Sequence, residues 1–161
     1  MSGLTFELFL KILTPLLVVG GWVVVYRLQA LQARRKLLRE TAEKVRESVT
    51  TLLEEAISFH TKEFDPEKKV AITLALTHLE KRYELFPKIA AGANSCIPAV
   101  DPKQVEIPPK FIVELRQAIT LLHFDEPEPP LSQGSPQIQR ITAASVALIG
   151  EVDRVIVAAL D

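Results

Sequence analysis

Three histidines and one cysteine are the residues of this chain whose side chains most often bind metals or act in catalysis. His60, His78 and His123 belong to no H-E-x-x-H motif and to no Glu-x-x-His pair of the kind that builds di-metal sites in helical bundles. His60 and His123 lie near predicted helix ends, where an imidazole interacts favourably with the C-terminal dipole. A site built from the three histidines and nearby carboxylates is geometrically possible, but no spacing indicates one. We therefore expect no metal and no cofactor.

The single cysteine, Cys96, follows Ser95 in a long segment between predicted helices. No general base is predicted beside it, so the sequence does not indicate a catalytic Cys–His pair. One cysteine also excludes an intramolecular disulfide and a metal site made of cysteines alone. The six glycines are scattered and form no phosphate-binding loop. We predict no catalytic residue, and an enzyme with a site inside the helical domain is the least favoured alternative.

Length and composition are those of one globular domain with an appendage. The chain has 161 residues, of which 48% are hydrophobic and 24% charged, and these values exclude global disorder. The net charge of -1 gives no electrostatic case for nucleic acid, because the basic cluster at positions 34–39 directly follows the apolar amino-terminal segment and the domain itself is near neutral. We therefore expect no nucleic-acid partner.

The apolar segment near the amino terminus predicts a membrane span. Residues Ile12 to Tyr26 carry no charge but reach only about 22 Å as a helix, short of a roughly 30 Å hydrocarbon core. Counting from Leu4 gives about 35 Å, which is enough to span with some tilt. Lys11 can extend its amine to one interface, and the rings of Trp22 and Tyr26 favour the other.

Three residues in this segment would destabilise a soluble helix but are tolerated in a membrane. They are Pro15, Gly20 and Gly21, and small residues also let two membrane helices approach closely. Two other interpretations are a cleaved signal peptide, with a poor cleavage site at Ala30, and a buried soluble helix. We favour a single-pass anchor over both.

Basic residues predict the orientation of this span. Arg27, Arg34, Arg35, Lys36 and Arg39 follow the charge-free run, and only Lys11 and the amino terminus precede it, so the positive-inside rule places the C-terminal domain in the cytoplasm. We expect the bacterial inner membrane, with the amino terminus outside. The basic cluster is either a solvated helix face or a contact with anionic lipid.

After the span, a first helix is predicted from Arg27 to Thr61, and its apolar residues are three or four apart. This stripe consists of Leu28, Leu31, Leu38, Ala42, Val45, Val49, Leu52, Ala56 and Phe59. Such a heptad pattern is typical of a helix that packs lengthwise on another. It fits an intramolecular bundle or a parallel homo-oligomeric coiled coil, and we include Gly20 and Gly21 among the helix-packing residues.

Three further helices follow. The second begins at Asp65-Pro66 and is predicted to end at Pro87, the third runs from Pro109 to about Phe124, and the fourth begins at Ser135-Pro136. The apolar stripe of the second helix is Ile72, Leu76, Leu79, Tyr83 and Phe86, with Leu74 and Ala75 at the side. That of the third helix is Ile112, Leu115, Ile119 and Leu122. That of the fourth helix is Ile138, Ile141, Ser145, Leu148, Val152, Val155 and Ala159, with Ile149 and Ile156 at the side. The break over 87–108 is either mobile or functional.

We therefore predict an all-α protein in which a transmembrane helix continues into a long helix, followed by an antiparallel four-helix-bundle-like domain. The predicted parts are a transmembrane anchor over 1–27, a juxtamembrane helical stalk over 28–41 and a cytoplasmic helical bundle over 42–161.

This arrangement resembles a loose group of uncharacterised bacterial single-pass membrane proteins with a short helical cytoplasmic domain. The segments that carry the resemblance are VVYRLQALQARRKLLRE, LLEEAISFHT, FIVELRQAITLLHFD and ITAASVALIGEVDRVIVAAL. The resemblance implies location and architecture, and it implies no functional residues.

These patterns lead to two main functional hypotheses. The first is a membrane-anchored interaction or scaffold protein, with membrane lipids and either a protein partner or further copies of itself as partners. The second is a regulated membrane effector that oligomerises through its span and stalk.

Overall fold

The structure of this chain is a computed structural model that describes residues 2–91, 106–121, 124 and 129–160, without the side chains of residues 2–12, 14, 90 and 91. It is all-helical over these ranges, and its four helices are α1 (Ser2–Thr61), α2 (Pro66–Ala91), α3 (Lys110–Thr120) and α4 (Pro136–Leu160). The chain divides into two compact units, Met1–Lys36 and Leu37–Asp161. The predicted fold class is confirmed.

In the second unit, the heptad stripe of α1 forms one side of a single hydrophobic core. The stripe from Leu38 to Phe59 is buried in full, at 0–3% exposure, because its three- and four-residue spacing keeps these side chains on one helix face. Leu28 and Leu31, which belong to the first unit, are exposed at 55% and 36%. The predicted stripe is therefore a core element only from Leu38 onward.

Helix α2 begins as the sequence predicts. One carboxylate oxygen of Asp65 accepts hydrogen bonds from the backbone N–H groups of Glu67 and Lys68, at 3.0 and 3.4 Å. Pro66 occupies the first helical position, where its missing N–H costs nothing. The predicted stripe from Ile72 to Phe86 is buried.

Two details of α2 correct the sequence interpretation. Pro87 does not end the helix, which continues to Ala91. A proline this close to the end removes one backbone hydrogen bond in the last turns without breaking a long run of them. Leu74 does not widen the buried stripe either, because its side chain is 58% exposed. It lies two positions from Ile72 and Leu76, about 200° around the helix, so it points away from the core.

Helix α3 is shorter than predicted and α4 matches its prediction. The predicted end near Phe124 is wrong, since α3 ends at Thr120 and Leu121 has an extended backbone with φ -78° and ψ 141°. The hydroxyl of Ser135 accepts a hydrogen bond from the N–H of Ile138 at 3.4 Å and so caps α4. The stripes of α3 and α4 are buried where they are described, except Ala159, which is half-buried; Leu122 is outside the described residues.

Polar contacts between helices give the order and direction of the bundle. Arg46 of α1 pairs with Asp153 of α4, and Arg82 of α2 donates to the Ser48 hydroxyl of α1 at 2.7 Å. A second contact in each pair gives the direction: Ser58 of α1 and Lys68 of α2 line one cavity, and the N–H of Leu131, just before α4, donates to the carbonyl of His60. Later residues of α1 therefore meet earlier residues of α2 and α4, so α1 is antiparallel to both. Arg116 of α3 pairs with Glu80 of α2 at 2.8 Å, and Lys69 lies over the Phe124 ring, so α3 is antiparallel to α2. The second unit is therefore an up-down-up-down bundle.

The Asp65 cap has a measurable effect on stability. We expect Asp65→Ala to lower the free energy of unfolding by about 1 kcal/mol, because two N–H groups at the start of α2 lose their acceptor. Urea unfolding followed by circular dichroism measures the change. Asp65→Asn is the matched control, since its side-chain oxygen can still accept these bonds. Equal losses in both variants would contradict a capping role.

Candidate functional site

The first unit presents an apolar surface that the fold does not bury. Ten large apolar side chains between residues 16 and 28 are at least 47% exposed, and Leu17, Trp22 and Tyr26 reach 68–72%. Consecutive residues such as Val23, Val24 and Val25 point in different directions around a helix, so the helix is apolar all round. Such a surface is unfavourable in water and is typical of a membrane span.

By length and composition, one helix in the described part of the chain could cross a membrane, and it is α1 from Pro15 onward. Pro15 lies inside this helix, and the backbone stays helical through Gly20 and Gly21. A Cβ atom at either glycine would meet no neighbour within 4 Å. The backbone at Lys11 is part of α1, but its side chain is outside the described residues.

The predicted membrane-interface cations follow the apolar surface. Arg27, Arg35 and Lys36 are exposed, and Arg34 is half-buried. Arg34, Arg35 and Lys36 each take part in an interaction within the chain. Helix α1 therefore changes within three turns, between Tyr26 and Lys36, from an uncharged apolar helix to a strongly basic one.

Five of the seven predicted helix-packing residues are in the core of the second unit. Leu38, Val45, Val49, Leu52 and Phe59 are at most 3% exposed and belong to one cluster with the stripes of α2, α3 and α4. This stripe therefore packs within the chain, as one of the two alternatives from the sequence requires. Gly20 and Gly21 are exposed and belong to the other unit.

His60 has a structural position that its sequence spacing did not indicate. It is 3% exposed at the end of α1, and its Nε2–H donates a hydrogen bond to the carbonyl oxygen of Ile119 at 2.9 Å. Its own carbonyl accepts a hydrogen bond from the N–H of Leu131 at 2.8 Å. The ring also contacts Phe59 edge-on, with centroids 5.3 Å apart. His60 thus connects α1 to the end of α3 and to the segment before α4.

Gln137 makes a second contact with the end of α3. This side chain, 7% exposed in the first turn of α4, donates from Nε2 to the carbonyl oxygens of Ala118 and of Leu121, the latter at 3.1 Å. The N–H of Leu121 donates to the Gln117 carbonyl at 2.9 Å. Backbone carbonyls that lack helical partners at a C-terminus are costly when buried, and the side chains of His60 and Gln137 supply donors to such carbonyls.

Tyr83 ties the segment before α3 to α2. Its hydroxyl donates to the carbonyl oxygen of Pro108 at 3.0 Å, and burial, followed by the charge of Glu151, raises the pKa of Tyr83 well above its usual range. Arg154 donates to the carbonyl of Glu106 at 2.9 Å and to Glu151 at 2.7 Å. These polar groups connect α2 and α4 to the segment before α3.

The other sequence candidates do not converge on a reactive centre in the described ranges. His78 is exposed on α2, whereas His60 is buried, and His123, Ser95 and Cys96 are outside the described residues. Among the residues that the structure describes, no group of three or more His, Cys, Asp or Glu side chains could hold a metal ion. A cavity of about 310 Å³ lies between α1 and α2, with Glu54, Glu55 and Lys68 among its lining residues.

Comparison with known proteins gives no assignment: no family model matches the chain, and no curated protein or solved structure matches it significantly.

Removing the His60 donor tests its role at the end of α3. We expect His60→Leu to lower the free energy of unfolding by about 1–3 kcal/mol, because the Ile119 carbonyl would remain buried without this donor. Urea unfolding of the detergent-solubilised chain measures the change. His78→Leu is the matched control, and its exposed position predicts a change of at most about 0.5 kcal/mol. Similar losses in the two variants would contradict the assignment.

Proposed function

We propose that this chain is a membrane-anchored helical interaction or scaffold protein that acts at the cytoplasmic face of a bacterial inner membrane. The observation that carries the proposal is the ten-residue set of large apolar side chains exposed between residues 16 and 28, beside a second unit with its own closed core. Each such side chain contributes about 1.5–3 kcal/mol when it leaves water. Lipid is the environment that can accept all of them at once.

The charges that follow the apolar segment support the proposed orientation. Arg27, Arg34, Arg35, Lys36 and Arg39 follow the span within about four turns, and cytoplasmic flanks of membrane helices carry such an excess. The bundle would therefore be cytoplasmic, and the amino terminus would be outside. Each cation near an anionic lipid surface adds about 1 kcal/mol of attraction, so the same residues would hold the flank at the headgroups.

The second unit supports an interaction role. Its described buried polar side chains, His60, Gln137 and Ser145, all make hydrogen bonds to backbone carbonyls within the fold. Several large apolar side chains remain exposed on its helices, and they are Val70, Leu74, Leu85, Val113, Val146 and Val157. The proposed protein contacts would use some of these side chains. The proposed partners are a cytoplasmic protein or further copies of the chain.

A charge in the middle of the span tests the anchor. We expect the wild-type chain to stay in the membrane pellet after alkaline carbonate extraction. Val19→Arg should increase the extracted fraction measurably over that of the wild-type chain, because an arginine at the centre of a membrane helix costs about 2.5–3.5 kcal/mol on insertion. Ala33→Arg introduces the same side chain at an exposed position after the span and should remain in the pellet. Complete extraction of the wild-type chain would contradict the proposal.

Cross-linking in living cells tests the interaction role. We expect a lysine-reactive, membrane-permeant cross-linker to convert the wild-type chain into one species of defined higher mass, whose components mass spectrometry identifies. Val19→Arg should lose this species, because the partner is proposed to meet the chain at the membrane. A chain that stays monomeric in cells would contradict an interaction or scaffold function.

A further inference from the structure

The outer face of α4 is apolar although the bundle leaves it exposed. Ten consecutive residues, Ile141 to Gly150, carry no charge. The inner stripe of this helix fills the core, but Ala143, Val146, Ala147 and Gly150 are exposed on the opposite side, Val146 at 62%. Part of this face lines a shallow groove of about 610 Å³, whose lining residues are Gln133, Ile138, Gln139, Thr142, Ala143, Val146 and Ala147. A helix that is apolar on both sides is typical of one that is covered on both sides.

Gly150 is a second feature that the bundle itself does not explain. It lies in the interior of α4, where glycine destabilises a helix by roughly 0.5–1 kcal/mol relative to alanine. A Cβ atom there would meet no neighbour within 4 Å, so no contact inside the chain requires the missing side chain. Glycine at an outward helix position is useful where another backbone approaches closely. Ala143 and Ala147, at related positions on the same face, are also small.

Charges around this face are arranged so that two identical faces can meet. Arg154 is paired with Glu151 at 2.7 Å, and Asp153 is paired with Arg46, so the charges at the carboxyl end of the face are neutralised within the chain. Arg140 borders the other end, more than two turns from Gly150. A two-fold interface places a surface against its own copy, so like charges in its centre would repel, and this face has none there.

We propose that the outer face of α4, from Ala143 to Gly150, is a docking surface for a second copy of this chain. The inference deepens the proposed function by naming the partner and the surface. The copies would pack α4 against α4 in parallel. This direction rests on the proposed anchor. In an antiparallel pair, the points at which the two chains enter their bundles would lie about 37 Å apart, the length of α4, on opposite sides of the contact. Two chains anchored in one membrane enter their bundles from the same side.

Confinement in a membrane favours this contact. Two copies anchored in one bilayer with the same orientation present equivalent faces at the same height, and tethering raises their effective concentration. A small, weakly apolar surface can therefore associate there although it would remain exposed at low concentration in solution.

Cysteine cross-linking of the full chain in isolated membranes tests the surface. In a Cys96→Ser background, Val146→Cys and Gly150→Cys should each form disulfide dimers on mild oxidation. A disulfide needs Cα atoms about 4.4–6.8 Å apart. Leu74→Cys on α2 is the matched control, because Leu74 is 58% exposed and Val146 is 62% exposed, but Leu74 lies on another helix. This variant should stay monomeric. Dimers of all three variants at similar rates, or of none, would overturn the proposal.

A mixed experiment distinguishes the direction of packing. Co-expressed Ala143→Cys and Gly150→Cys chains should each link mainly to their own kind in a parallel pair. Preferential mixed dimers would indicate an antiparallel pair and overturn the parallel arrangement. Carbonate extraction of the same membranes keeps the two proposals separate, because a chain that leaves the membrane fails the anchor, whereas an anchored chain without cross-links fails only the docking surface.

Gly150→Ala separates the docking role from a structural one. We expect it to raise the thermal midpoint of unfolding, because alanine favours the helix, and to reduce Val146→Cys dimers at least threefold, because the added methyl separates the two helices. Gly134→Ala is the matched control, since Gly134 also has open space around it but lies outside this face. Unchanged dimer formation in Gly150→Ala would overturn the role assigned to the glycine.

Discussion

The last turn of α3 buries Ala118 and Ile119, and the need to pair their backbone carbonyls constrains the other helices. The donors come from the end of α1 and the first turn of α4, through His60 and Gln137. The hydrogen bond from Leu131 to the His60 carbonyl fixes the segment between α3 and α4 at the same place. These contacts set the heights of three helices relative to one another, so the apolar stripes meet in register. A shift of any of the helices would leave buried carbonyls unpaired.

Helix α1 uses apolar residues in two different ways. From Leu38 to Phe59 they follow a heptad spacing, and one face is buried while the opposite face is polar. From Leu16 to Leu28 they cover all sides, and the large apolar side chains of this stretch are at least 47% exposed. A one-sided stripe needs other helices, whereas an all-round surface needs a surrounding solvent of low polarity. Basic residues lie between the two parts of the helix, and the proposed function places the lipid boundary there.

Features set by local spacing were predictable from the sequence, and features set by distant contacts were not. The caps at Asp65 and Ser135 and the buried stripes follow from helix periodicity and from neighbouring residues. The ends of α2 and α3 did not follow, because a proline near a helix end is tolerated and because α3 stops where other helices supply donors. His60 and Ile119 are 59 residues apart, so no local pattern shows their hydrogen bond. The exposed apolar surface of residues 16–28 was predictable, since it follows from composition alone.

The proposed function requires the apolar segment to cross a membrane and the bundle to lie in the cytoplasm. Labelling with a membrane-impermeant maleimide tests this directly, using single cysteines at Ser2 and at Ser132 in the Cys96→Ser chain. In spheroplasts with an intact inner membrane, we expect Ser2→Cys to be labelled and Ser132→Cys to be labelled only after the membrane is disrupted. Labelling of Ser132→Cys to the same extent before and after disruption would contradict the account.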